Sequence, residues 1–86
     1  MELRITDAAK DDIKFFLKSG QIGIVKKIEK LLIDIKKHPF EGIGKPEPLR
    51  HQYSGKWSRR IDIKNRVIYE VKDNSIFIYS FKGHYE

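Results

Sequence analysis

The sequence contains no cysteine, which excludes disulfides and thiolate metal ligation and permits a reducing compartment without requiring one. It has no apolar run approaching the roughly 20 residues that a membrane-spanning helix needs. The opening stretch, MELRITDAAKDD, carries charges where a secretory signal requires an apolar core, so the expectation is a soluble, cytoplasmic protein with no membrane partner. Histidines 38, 51 and 84 have no ligand-like spacing, and Gly42 and Gly44 lack both the third glycine and the Lys-Ser/Thr pair of phosphate-cradling loops. Neither a metal site nor a nucleotide cofactor is therefore expected.

What the chain does hold is charge, unevenly placed. Its formal net charge is +6. Residues 1–44 carry nine Lys/Arg against seven Asp/Glu, residues 45–66 seven against two, and residues 67–86 two against three. Nearly all the excess lies in one window, the pattern expected of a face that attracts a polyanion, most simply nucleic acid. A basic surface kept for solubility or for an acidic protein partner would look the same. With 40% hydrophobic and 12% aromatic residues and no long polar tract, the 86 residues read as one compact domain, residues 1–86, with a small core.

The pattern of apolar residues predicts an α+β fold. Residues 2–5 alternate as a short strand. From Thr6, a side chain suited to capping a helix, Ala9, Ile13, Phe16 and Leu17 recur at helical spacing until Ser19-Gly20. A second helix over residues 21–37 aligns Ile24, Val25, Ile28, Leu31, Leu32 and Ile35 and stops before Pro39. Residues 39–55 contain all three prolines and three of the six glycines, predicting an ordered loop anchored by Phe40, Ile43 and Leu49. Three strands follow, over residues 56–63, 66–71 and 75–82, with Lys64-Asn65 and Asp73-Asn74 as hairpin turns. In the first of these, Trp57, Arg59, Ile61 and Ile63 alternate with Lys56, Ser58, Arg60 and Asp62. The result is strand, helix, helix and a three-stranded antiparallel meander.

One carboxylate stands out. Glu47 sits between Pro46 and Pro48, with Lys45, Arg50, Lys56, Arg59 and Arg60 nearby in sequence. Pro48 favours extended geometry at Glu47, so the acid sits on a stiff segment. It is either a salt-bridge partner tempering a positive loop or a base beside an anionic substrate, and the residues alone leave both open. Cleaving RNA through its 2′-hydroxyl needs a base, an acid for the leaving 5′-oxygen and cations around the phosphate. Glu47, a histidine such as His84, and arginines supply those types. Arg60 and Arg66 sit on neighbouring strands where both could reach one phosphate, unless they pair with Asp62 or Glu70. Tyr53 and Tyr85 are candidates for stacking on a base.

The segment PFEGIGKPEPLRHQYSGKWSRRI, followed by NRVIY and a tail in HY, resembles the YoeB/Txe branch of the RelE/ParE superfamily, toxins of bacterial type II toxin-antitoxin systems. The similarity extends back through VKKIEKLLIDIKKHPF, and Glu86 follows the HY with which the resembling sequences end. The resemblance implies a microbial ribonuclease-like RelE fold. It further implies an endoribonuclease that cuts mRNA in the ribosomal A site and stops translation, with neither metal nor cofactor. Position by position it implies Glu47 as general base, Arg66 as phosphate stabiliser, His84 as general acid and Tyr85 as an orienting or stacking group. Lys45, Arg50, Arg59 and Arg60 are implied to contact RNA. A homodimer and a small Phd/YefM-type antitoxin are the implied protein partners. The competing expectation is a non-catalytic superfamily toxin that poisons a target such as gyrase or merely occludes the ribosome.

Overall fold

The structure, a computed structural model, describes residues 1–83. Its elements are β1 (Glu2–Ile5), α1 (Asp7–Lys18), α2 (Ile22–Lys37), β2 (Glu47–Pro48), a single 3-10 turn (His51–Tyr53), β3 (Lys56–Arg60), β4 (Arg66–Lys72) and β5 (Ser75–Gly83). They form one five-stranded sheet in the order β1-β5-β4-β3-β2, in which β1 runs parallel to β5 and the other neighbours are antiparallel. The α+β class and the strand-helix-helix-meander order follow the sequence pattern.

Local chemistry explains the helix ends. Thr6 is extended and its hydroxyl accepts the amide of Ala9, which satisfies one of the free N–H groups of the first turn, while Asp7 complements the helix dipole. The same hydroxyl donates to the Tyr79 carbonyl at 3.3 Å, so the cap also ties α1 to β5. A second tie comes from Asp12, whose carboxylate accepts the Phe81 amide at 2.9 Å. At the other end, Ser19 hydrogen-bonds the Phe15 carbonyl and Gly20 adopts a φ of 72°, the left-handed geometry that ends many helices. The stripe of α2 buries Ile28, Leu31 and Ile35 against Phe16 of α1 and against Val67, Tyr69, Ile76, Ile78 and Phe81 of the sheet. The other face of the sheet carries Ser58, opposite the buried Ile68 of β4.

The Asp73-Asn74 turn matches expectation, both residues having positive φ as a tight hairpin requires. The β3–β4 connection does not. β3 ends at Arg60 rather than residue 63, because Asp62 accepts the amides of Lys64 and Asn65 on Oδ1 at 2.9 and 2.7 Å and folds the chain into an Asx-type turn. Ile61 still reaches the core, but Ile63, grouped by alternation with Trp57, Arg59 and Ile61, is 96% exposed. The expected proline-rich loop also contains an element that alternation could not reveal: Glu47 and Pro48 form an edge strand, Glu47 opposite Ser58 and Pro48 opposite Trp57. An edge position suits Pro48, which has no N–H to give.

Candidate active-site cleft

The loop leading to Glu47 is held from below by an arginine. Arg59 is fully buried, and each of its five N–H groups has an acceptor. Nε donates to the Tyr69 hydroxyl at 3.1 Å, Nη1 to Asp34 Oδ2 at 2.5 Å and to the Ile43 carbonyl at 3.2 Å, and Nη2 to the carbonyls of His38 and Glu41. Tyr69 in turn donates to the Pro39 carbonyl at 2.6 Å. Asp34, on α2, also accepts the Ile43 amide at 3.1 Å. One guanidinium thus joins β3, β4, α2 and the backbone of residues 38–43.

The electrostatics follow from this arrangement. The hydrogen bond from Arg59 holds the Asp34 carboxyl below its ordinary value against the opposing effect of burial. Burial pushes the Tyr69 hydroxyl up, although Arg59 pulls against it. Gly42 passes so close that a Cβ there would lie 2.0 Å from Asp34 Oδ2, and its φ of 120° also excludes side chains. The glycines at 42 and 44 therefore serve close approach within the loop. Phe40 completes the anchorage, its ring 4.9 Å from that of Trp57. Arg59 was expected to contact RNA, and the structure corrects this: a buried guanidinium with every donor committed has nothing to offer a ligand.

On the opposite sheet face lies a cleft of about 430 Å³ lined by Glu47, Arg50, His51, Tyr53, Ser58 and Arg66, among others. Strand register brings these groups together. Glu47 lies opposite Ser58, and Arg66 extends from β4 so that its Nη1 is 3.9 Å from Glu47 Oε2 and 3.5 Å from the Ser58 hydroxyl. The Glu47 side chain is 64% exposed and that of Arg66 26%. An ion pair this open and this long contributes about 0–1 kcal/mol to stability. Its geometry is a proton acceptor facing solvent beside a half-buried cation.

Other predicted residues distribute as follows. Arg60 is exposed and pairs in register with Arg66, while Asp62 is engaged in its own turn and Glu70 Oε1 accepts the Tyr79 hydroxyl at 2.7 Å. Directly opposed like charges are unfavourable to a strand pair, and Arg66 has the Glu47 carboxylate 3.9 Å away. Lys45 is exposed, with a left-handed φ of 52°, two residues before Glu47. Arg50 lines the cleft. β5 ends at Gly83, in register with Arg66, and His84 and Tyr85 lie outside the described residues. Ser58 and His51 were not singled out for this site from sequence. Alternation had placed Ser58 on the face of Arg60, whereas nothing in the sequence pattern marked His51. Among the described residues no group of three or more His, Asp or Glu side chains could hold a metal ion, and no helix is long and apolar enough to cross a membrane.

Comparison with known proteins is consistent along the whole chain. Residues 5–85 match the family described as the YoeB-like toxin of bacterial type II toxin-antitoxin systems. Toxin YoeB of Escherichia coli K12 is 44% identical over 85 residues, covering 99% of this chain and all of the relative. Among solved structures, the YoeB/ParE toxin from Agrobacterium tumefaciens superposes with a TM-score of 0.92 at 36% identity, covering 99% of this chain and 100% of the other. The Staphylococcus aureus toxin, 41% identical over 99% of this chain and 98% of its own, has been solved as a YoeB dimer, with a TM-score of 0.87, and as a heterotetrameric YoeB-YefM toxin-antitoxin complex, with a TM-score of 0.84. Fold and whole-length identity agree, and the chain belongs to the YoeB family of bacterial type II toxin-antitoxin toxins.

Proposed function

We propose that this toxin is an endoribonuclease that cuts mRNA in the ribosomal A site by acid-base chemistry through the 2′-hydroxyl. The observation that carries the reading is the Glu47 carboxylate, exposed and 3.9 Å from Arg66, at the mouth of a cleft large enough for a nucleotide. Glu47 takes the proton of the 2′-hydroxyl as its oxygen attacks the adjacent phosphorus. Arg66 donates to the phosphate oxygens as charge accumulates on them, which is where fixed donors lower a barrier most. His84 returns a proton to the departing 5′-oxygen, leaving a 2′,3′-cyclic phosphate and a 5′-hydroxyl. Tyr85 orients or stacks on the substrate, and Lys45, Arg50 and Arg60 contact neighbouring RNA.

Charge stabilisation by Arg66 and alignment of the RNA by the ribosome supply part of the rate. The protein partners in this reading are a second copy and an acidic antitoxin of the YefM type that covers the basic face, by analogy with the S. aureus assemblies. The test is to add the protein to a stalled translating complex and, separately, to the same mRNA free in solution, and to map 5′ ends. Cuts confined to A-site codons are expected. Intact mRNA in both reactions refutes the reading and leaves a toxin that acts by binding alone.

A further inference from the structure

The cleft contains an imidazole to which neither the sequence pattern nor the family resemblance gives a role. His51 lines it together with Glu47, Ser58 and Arg66, is exposed, and has a φ of 59°. The turn it opens is closed by backbone alone: Tyr53 donates its amide to the Arg50 carbonyl at 3.1 Å and Ser54 to the His51 carbonyl at 3.0 Å. Glycine would fill this left-handed position with no steric cost, so the turn itself does not call for a side chain. Among the described residues the ring has no hydrogen-bond partner. A side chain in left-handed geometry, unpartnered and at the edge of a cleft, is an observation that points to function rather than to folding.

We propose that His51 is a substrate-contacting residue, its ring N–H donating to a phosphate oxygen of the RNA that Arg66 also engages. This rests on the endoribonuclease reading. The ligand class follows from the neighbours: Arg50 precedes His51 in the chain and Arg66 faces the same space, so the surrounding field attracts an anion. An imidazole also supplies a directed donor where a lysine would supply a diffuse charge.

The experiment uses His51→Gly, because glycine relaxes the φ of this position while deleting the ring, so the variant is expected to melt no lower than the wild type. Single-turnover cleavage of a programmed ribosomal complex is expected to fall about 10- to 100-fold, the loss of one hydrogen bond to a charged group. Added free imidazole, which fits the space vacated in an open cleft, is expected to restore part of the rate. Wild-type cleavage by His51→Gly overturns the proposal. So does a loss that imidazole leaves untouched, since the defect then belongs to the turn. Glu47→Ala is run in parallel: if it too cuts at the wild-type rate, the failure is that of the endoribonuclease reading, whereas an inactive Glu47→Ala beside a fully active His51→Gly removes His51 alone.

Discussion

Replacing Arg59 by methionine separates two accounts of a basic residue in a nucleic-acid-facing segment. Methionine approximates the length and bulk of arginine but offers no donor, so Arg59→Met leaves the Asp34 carboxylate and the carbonyls of His38, Glu41 and Ile43 without the guanidinium that serves them. Breaking a buried pair by removing one partner costs about 3–5 kcal/mol. Asp34 retains 24% side-chain exposure and recovers some hydration, and the loop carbonyls reach water if residues 38–43 lift. The low end, about 3 kcal/mol, is therefore expected, and for a domain of this size it lowers the melting temperature by roughly 12–24 °C. Calorimetry together with urea unfolding measures it.

The same change alters the response to acid. In the wild type the depressed Asp34 contributes stability that is present above its ordinary value of 3.8 and lost as pH falls through its folded value. Without Arg59 the principal cause of the depression is gone, so the acid limb of the stability curve flattens. Adding Asp34→Leu to Arg59→Met should cost less than the two single losses combined, since no uncompensated carboxylate remains. An Arg59→Met protein that melts within about 2 °C of the wild type but has lost RNA affinity would refute the structural role, because a surface cation can be removed at a cost within about 0.5 kcal/mol.

Other consequences are checked independently. Glu47→Ala and Arg66→Ala should each lower cleavage of a programmed ribosomal complex by about 10²- to 10⁴-fold while leaving the melting temperature nearly unchanged, because their open ion pair holds little of the fold. Gly42→Ala places a Cβ 2.0 Å from Asp34 Oδ2 at a φ of 120°, and should destabilise by roughly 1–3 kcal/mol in denaturant titrations, with the Arg59 anchorage disturbed first. The Tyr79 hydroxyl is pushed up to about 12 by burial and by its hydrogen bond to Glu70. A raised value in the folded state favours the neutral phenol, so stability is intact below the ordinary value of 10.0 and declines as pH rises from there toward 12. Tyr79→Phe should show a shallower alkaline decline in melting temperature, with the decline due to Tyr69 remaining.

How much of this was legible in advance depends on the range of the interaction that decides each feature. The helix period, the Thr6 cap, the break at Ser19-Gly20, the stop before Pro39 and the Asp73-Asn74 hairpin are set by neighbours a few residues apart, and sequence exposes them. β2 is decided by pairing with a strand ten residues away, and two residues carry no period to read. Ile63 was misplaced because period two holds only while the ladder continues, and the Asp62 side chain ends the ladder one residue before Ile61. Within the site, Glu47 was conspicuous from its prolines. His51 was not, because what distinguishes it is a backbone angle and a place in the cleft lining, neither of which composition records.

Arg59 and Arg60 show how a misreading of charge arises and how it could have been avoided. Composition counts both as members of a cationic window. Alternation along β3, however, already grouped Arg59 with Trp57 and Ile61, the inner side, and Arg60 with Ser58, the side of the cleft. A charged residue that falls in phase with core positions needs acceptors for five N–H groups, and the chain supplies them in Asp34, Tyr69 and the bent backbone of 38–43, whose glycine at 42 permits the approach. The inner arginine fixes the path of the loop, and Gly44, at its end, accepts the Arg60 amide at 2.7 Å just before the chain turns into Lys45-Pro46-Glu47. Placement of the carboxylate within 3.9 Å of Arg66 therefore depends on an arginine that never touches solvent. Net charge of a window measures attraction to a polyanion only after the residues in phase with the core have been subtracted from it.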